Sequence, residues 1–203
     1  MIINNFSQIS YLLTFNNEDE FYFVQILVRG KDKNNVKSNA RNRLIRYYTI
    51  SSLQQFIDSK KEIIDICNAC NARAYIHLTK RSYESVARKM MINASEDFYS
   101  KQFKALRHAF TSAASTSFIR DDKTYLLDID NSDIATSKLI DCINYSCKPE
   151  GRKLIAQIPT VSGFHLIFKP FDVQEFSKGF PSLSNCVKQN SPTLLYYNKH
   201  ETN

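Results

Sequence analysis

The sequence predicts a mixed α/β chain, α+β in arrangement, whose two modules together make one domain. Three observations carry this. Segments rich in aromatic and β-branched residues alternate with segments whose apolar residues recur at helical spacing. Polar turn stretches such as "CKPEG" and "VSG" separate them. From residue 123 onward the elements follow one legible order, strand-helix-strand-strand-helix-strand.

In chain order, "EFYFVQILVRG" reads as a strand and "RLIRYYTI" as its returning partner. The basic stretch "KDKNNVKSNARN" forms the hairpin tip. "SSLQQFIDSKKEIIDICNAC" opens on serine caps and places Leu53, Phe56, Ile57, Ile63, Ile64 and Cys67 at helical spacing. "RAYIHL" is a short strand, and a long helical region runs from about Ser82 to Ser117 with a break expected near "NASED". Charge clusters at "FIRDDK", where a boundary separates an N-terminal α/β module, 1–119, from a second module, 120–203.

In the second module "TYLLDID" is a strand. "NSDIATSKLIDCINYS" is a helix capped by Asn131 or Ser132. "RKLIAQIPT" and "GFHLIFKPF" are strands joined by a tight turn, "DVQEFSKGF" is a short helix capped by Asp172, and "TLLYYN" is the last strand. This order is the ferredoxin-like split unit, which also underlies RNA-recognition (RRM) modules and polymerase palms. A fold alone assigns no function.

Composition narrows the class. The chain has 203 residues, 43% hydrophobic and 23% charged, enough to bury a core and unlike a disordered chain. The net charge of +7 suggests a polyanionic partner. No apolar run approaches the roughly 20 residues of a membrane helix, so no membrane partner is expected. The N-terminus lacks a basic n-region, so no signal peptide is read. Five cysteines without a secretory context point to reduced thiols and a cytoplasmic location. Cys67 and Cys70 stand at a zinc-like spacing, but they lie at a helix end, and Cys142 and Cys147 lack the matching two-residue gap.

The chemistry concentrates in "KTYLLDIDNSD". Residues i and i+2 of a strand share a face, so Asp128 and Asp130 project together with Cα atoms about 7 Å apart. Like charges this close raise each other's pKa, and a hard divalent cation, Mg2+ or Mn2+, reverses the penalty. His165 follows a small-residue turn on a strand of the same small sheet. With Lys169 farther along, it could hold a triphosphate, and Gly163 would let phosphates approach the backbone.

These two features, in this order and on this frame, resemble the archaeo-eukaryotic primase (primase-polymerase) superfamily, in particular its compact phage and mobile-element type. "YLLDID" is similar to the hydrophobic-Asp-hydrophobic-Asp motif of that family, and "GFH" to its small-x-His motif. The first module looks like the N-terminal α/β module that such enzymes pack against the palm. The resemblance implies metal-dependent nucleotidyl transfer on a single-stranded template. Asp128 and Asp130 would bind the metals and His165 the phosphates of the incoming nucleoside triphosphate. The chain shows no helicase domain, so a replicative helicase is an expected partner. Lys80 and Arg81, with the basic hairpin tip, are candidates for template phosphates on charge alone. One departure stands out: the family's third acid is missing from "NCVKQNSPTLLYY", where Asn190 stands instead. That makes a catalytically degenerate nucleic-acid-binding protein the alternative. A rolling-circle nuclease would need a His-x-His pair, and "GFHLIF" has one histidine.

Overall fold

A computed structural model describes residues 1–30, 42–119, 122–130 and 136–198. The basic hairpin tip and the Asn131/Ser132 cap lie outside the described residues. The chain divides into two compact units, Met1–Asp122 with Leu195–Asn203, and Lys123–Leu194. No helix among the described residues is long and apolar enough to cross a membrane.

The first unit holds strands β1 (Ile2–Asn4), β2 (Glu20–Val28), β3 (Arg43–Ile50), β4 (Arg73–Ile76) and β5 (Arg81–Ser82). Its helices are α1 (Phe6–Ser10), α2 (Leu53–Cys70), α3 (Tyr83–Tyr99) and α4 (Ala109–Thr116). β2 and β3 form the expected antiparallel hairpin, with Tyr22 opposite Ile50. α2 starts where Ser52 Oγ accepts the Gln55 N–H, while the Gln55 side chain accepts the Ser51 N–H. It ends at Asn71, whose left-handed backbone lets its N–H reach the Cys67 carbonyl. Phe56, Ile63 and Cys67 face the core, whereas Leu53 and Ile57, expected on that face, are exposed. Phe21, Phe23, Val86, Ala113 and Ala114 form a second core cluster.

α3 runs unbroken through "NASED" and stops at Ser100 instead. The chain breaks there because Lys101 takes a left-handed φ of 58°, which no helix continues.

The second unit contains β6 (Tyr125–Asp130), α5 (Thr136–Asp141), β7 (Leu154–Pro159), β8 (Gly163–Phe168), α6 (Val173–Gly179) and β9 (Val187–Gln189). Its sheet is antiparallel in the order β7-β8-β6-β9. β8 therefore separates the strands of β6-α5-β7, and β6 separates those of β8-α6-β9. Leu127, Ile129, Leu166 and Phe168 share one core with Leu139 and Ile143 from the α5 segment and Phe176 from α6. Asp172 caps α6 as expected, accepting the N–H groups of Gln174 and Glu175.

One assignment is corrected. "TLLYYN" is a strand, β10 (Thr193–Asn198), but it pairs with β1 in the larger sheet, with Tyr196 opposite Asn4. The fourth strand of the small sheet is β9, a three-residue segment the apolar pattern did not announce. β10 has five buried residues in succession, which suits the interior of a sheet covered on both faces.

Candidate active site

The alternation of "YLLDID" sorts β6 into two faces. Leu127 and Ile129 enter the core, which turns Asp128 and Asp130 to the other face. Next to them runs β8, in a register that sets Asp128 opposite His165 and Asp130 opposite Gly163. The two motifs are thus cross-strand partners.

Asp128 is the centre of the arrangement. Its Oδ1 lies 3.3 Å from His165 Nε2, and its Oδ2 accepts a 2.8 Å hydrogen bond from Lys188 Nζ on β9. The other ring nitrogen of His165, Nδ1, lies 2.9 Å from the Thr193 hydroxyl. The His165 bond holds the Asp128 carboxyl well below the usual carboxylate range; partial burial opposes this, and Lys188 adds to it. Asp130 is exposed, and its Oδ1 accepts a 2.6 Å hydrogen bond from Ser162 Oγ in the turn before β8. An open cleft of about 210 Å³ is lined by Asp128, Asp130, Leu183, Asn185, Cys186 and Lys188.

Gly163 belongs here for a steric reason. A Cβ on it would stand 2.0 Å from the Ile129 carbonyl oxygen, so only glycine lets β8 approach β6 at this point. Close strand approach by itself therefore accounts for this glycine.

Other sequence candidates lie elsewhere. Lys169 is exposed and follows the far end of β8, four residues beyond His165, or about 13 Å along a strand. Lys80 is buried in the first unit, with its Nζ 2.6 Å from Glu20 Oε2. Arg81 is buried too; its guanidinium contacts the Ala114 and Thr79 carbonyls and His77. Burial pushes Arg81 down to about 10. Both cations serve internal contacts, so their charge is not a template surface.

Asn190 is also not a stand-in for an acid at the cleft. It adopts a left-handed φ of 50°, and its N–H donates to the Thr124 carbonyl while its side-chain oxygen accepts the Thr124 N–H. That is the opposite end of β6 from the two aspartates. Cys67 is buried, its thiol is pushed up to about 12 by burial and Cys70, and among the described residues the pair gathers no third metal-ligating side chain.

Sequence reasoning missed Lys188, Thr193 and Ser162. Lys188 sits on the short strand β9, opposite Leu126, and was hidden by giving the fourth position in the sheet to "TLLYYN". Ser162 could have been suspected from its place in the turn that precedes the histidine strand.

Among the described residues, no group of three or more His, Cys, Asp or Glu side chains is gathered to hold a metal. Two carboxylates on one face nonetheless fit Mg2+ or Mn2+, since such ions commonly take one or two carboxylates and complete their shell with water and substrate phosphates. Lys188 occupies one of those oxygens, and its half-exposed side chain has solvent to swing into. Comparisons with protein-family models, curated proteins and solved structures found no match.

Proposed function

We propose that this chain is a metal-dependent nucleotidyltransferase of the primase-polymerase kind, acting on nucleic acid with a single-stranded template. The observation that carries the reading is the direct pairing of the two motifs, Asp128 against His165 and Asp130 against Gly163. The split order of the small sheet supports an RRM-like, ferredoxin-like palm, with the two acids on one central strand, β6, His165 on the other, β8, and the first unit as the N-terminal module. A replicative helicase partner and a cytoplasmic setting, in a phage or mobile element, belong to the same proposal.

The residues divide the work. Asp128 and Asp130 would hold Mg2+ or Mn2+, which when bound neutralises charge on the attacking and leaving oxygens. His165, oriented by Thr193, keeps its Nε2 against Asp128 at the cleft wall and would meet phosphate oxygens once Asp128 is drawn away to metal. Lys188 neutralises Asp128 in the absence of metal and supplies a cation for the same phosphates once displaced. Ser162 fixes the rotamer of Asp130. The template-directed incorporation of nucleotides, lost on replacing both aspartates, tests this reading.

Lys188 also favours a second reading, a degenerate nucleic-acid-binding protein. An ammonium on Asp128 can replace the metal permanently, and no third acid lines the cleft among the described residues. Intact template binding with no incorporation in Mg2+ or Mn2+ would select it.

A further inference from the structure

The segment that ends α3 and follows it is "FYSKQFKALRH", from Phe98 to His108. It contains three aromatic residues, three Lys or Arg residues and a histidine, and no acid. Its rings are in water: Phe98 is 61% exposed, Tyr99 85% and Phe103 56%. They touch one another edge to face, Phe98 with Tyr99 at 6.2 Å and with Phe103 at 5.8 Å between centroids. Lys101, Lys104 and Arg107 are exposed between and after them. Met91 and Ile92, seven residues before Phe98 and Tyr99 and so on the same side of α3, are exposed as well.

Little of this surface is explained by packing. Of the 17 residues of α3 only Val86 is buried. An exposed aromatic cluster of this kind marks an interaction surface. Its charge selects the occupant. A second copy of the same patch would set cations against cations. A polyanion whose repeating unit carries a flat apolar face satisfies both the rings and the ammonium groups, and single-stranded nucleic acid is that polymer.

We propose that Phe98, Tyr99 and Phe103, with Lys101, Lys104 and Arg107, form a stacking platform for single-stranded nucleic acid. The bases stack on the open ring faces, and the cations follow the phosphates. Stacking does not read base identity, so the platform is sequence-tolerant. The platform would serve as a template-holding surface under the nucleotidyltransferase reading, but binding to it needs neither metal nor the Asp128 site.

The test is fluorescence anisotropy of a labelled 20-mer of deoxythymidine with the full chain, without nucleotide or metal. Wild type should bind, and Tyr99→Ala with Phe103→Ala should weaken binding roughly tenfold or more. Lys101→Gln with Lys104→Gln should reduce the slope of log affinity against log salt by about 1.4, or about 0.7 per lost phosphate contact. These side chains are exposed, and an unchanged thermal melt confirms that each variant is folded. Absence of wild-type binding overturns the proposal, as does binding that neither pair of substitutions alters. A loss of self-association on the ring substitutions, read by sedimentation, with unchanged oligonucleotide binding also overturns it and assigns the patch to protein contact. Asp128→Asn separates the two proposals: it should abolish incorporation and leave anisotropy unchanged.

Discussion

Asp128 and His165 are cross-strand partners, 3.3 Å apart between carboxylate and imidazole, and the far side of that imidazole rests on the Thr193 hydroxyl. This line of three side chains makes His165 a positioned group and not a free rotor. It also ties the histidine to the acid by a geometry that strand pairing enforces.

Thr193→Val keeps the shape of the side chain and removes the hydroxyl. The imidazole loses one orienting hydrogen bond, worth about 1 kcal/mol. Nucleotide incorporation should fall about fivefold while His165→Gln removes most of it. Equal activity of Thr193→Val and wild type, measured at saturating template, would show that the threonine positions nothing.

The depressed pKa of Asp128 predicts a pH dependence. A carboxyl depressed in the folded state stabilises the fold above its unfolded value, about 3.9, and that contribution is lost as pH falls through the folded value. His165 is the larger cause and Lys188 a smaller one. The Asp128 titration midpoint, followed by carbon NMR of the carboxyl, should rise more in His165→Gln than in Lys188→Gln. The reverse order would contradict the assignment.

Lys188 and a divalent cation compete for the same carboxylate. Lys188→Gln should raise Mn2+ affinity roughly twofold to fivefold, the scale of a solvent-screened ion pair. Lys188→Asp, which supplies a third acid on the strand beside β6, should raise it further. Electron paramagnetic resonance of free Mn2+ reads the binding directly, and unchanged affinity in both variants would remove the lysine from the account.

Gly163→Ala drives a methyl group into the Ile129 carbonyl, a backbone atom that cannot rotate away. The cost should be about 1–3 kcal/mol or more of stability, as for overpacked cores. Urea unfolding measures it, and a loss below about 0.5 kcal/mol would mean that the strands separate without penalty.

The sequence made the strand carrying Asp128 and Asp130 legible because its apolar alternation and its acids are local signals. The same holds for the Ser52 and Asp172 caps. Lys188 was not legible, since its role depends on which of two C-terminal segments pairs with β6. A three-residue strand carries too little period to decide that against the longer, more apolar β10. The basic residues Lys80 and Arg81 misled for a related reason: charge in a sequence does not say whether it faces water or an internal Glu20 and carbonyl groups. The segment after Tyr99 has residue types that suit a helix, while the left-handed Lys101 breaks it.

The most direct measurement is nucleotide incorporation on a single-stranded template, with and without a primer, in Mg2+ and in Mn2+. Wild type is set against Asp128→Ala combined with Asp130→Ala. The account predicts metal-dependent product that vanishes in the double variant while the variant remains folded and still binds template. Product that survives loss of both aspartates, or no product from wild type in either metal despite template binding, would contradict it.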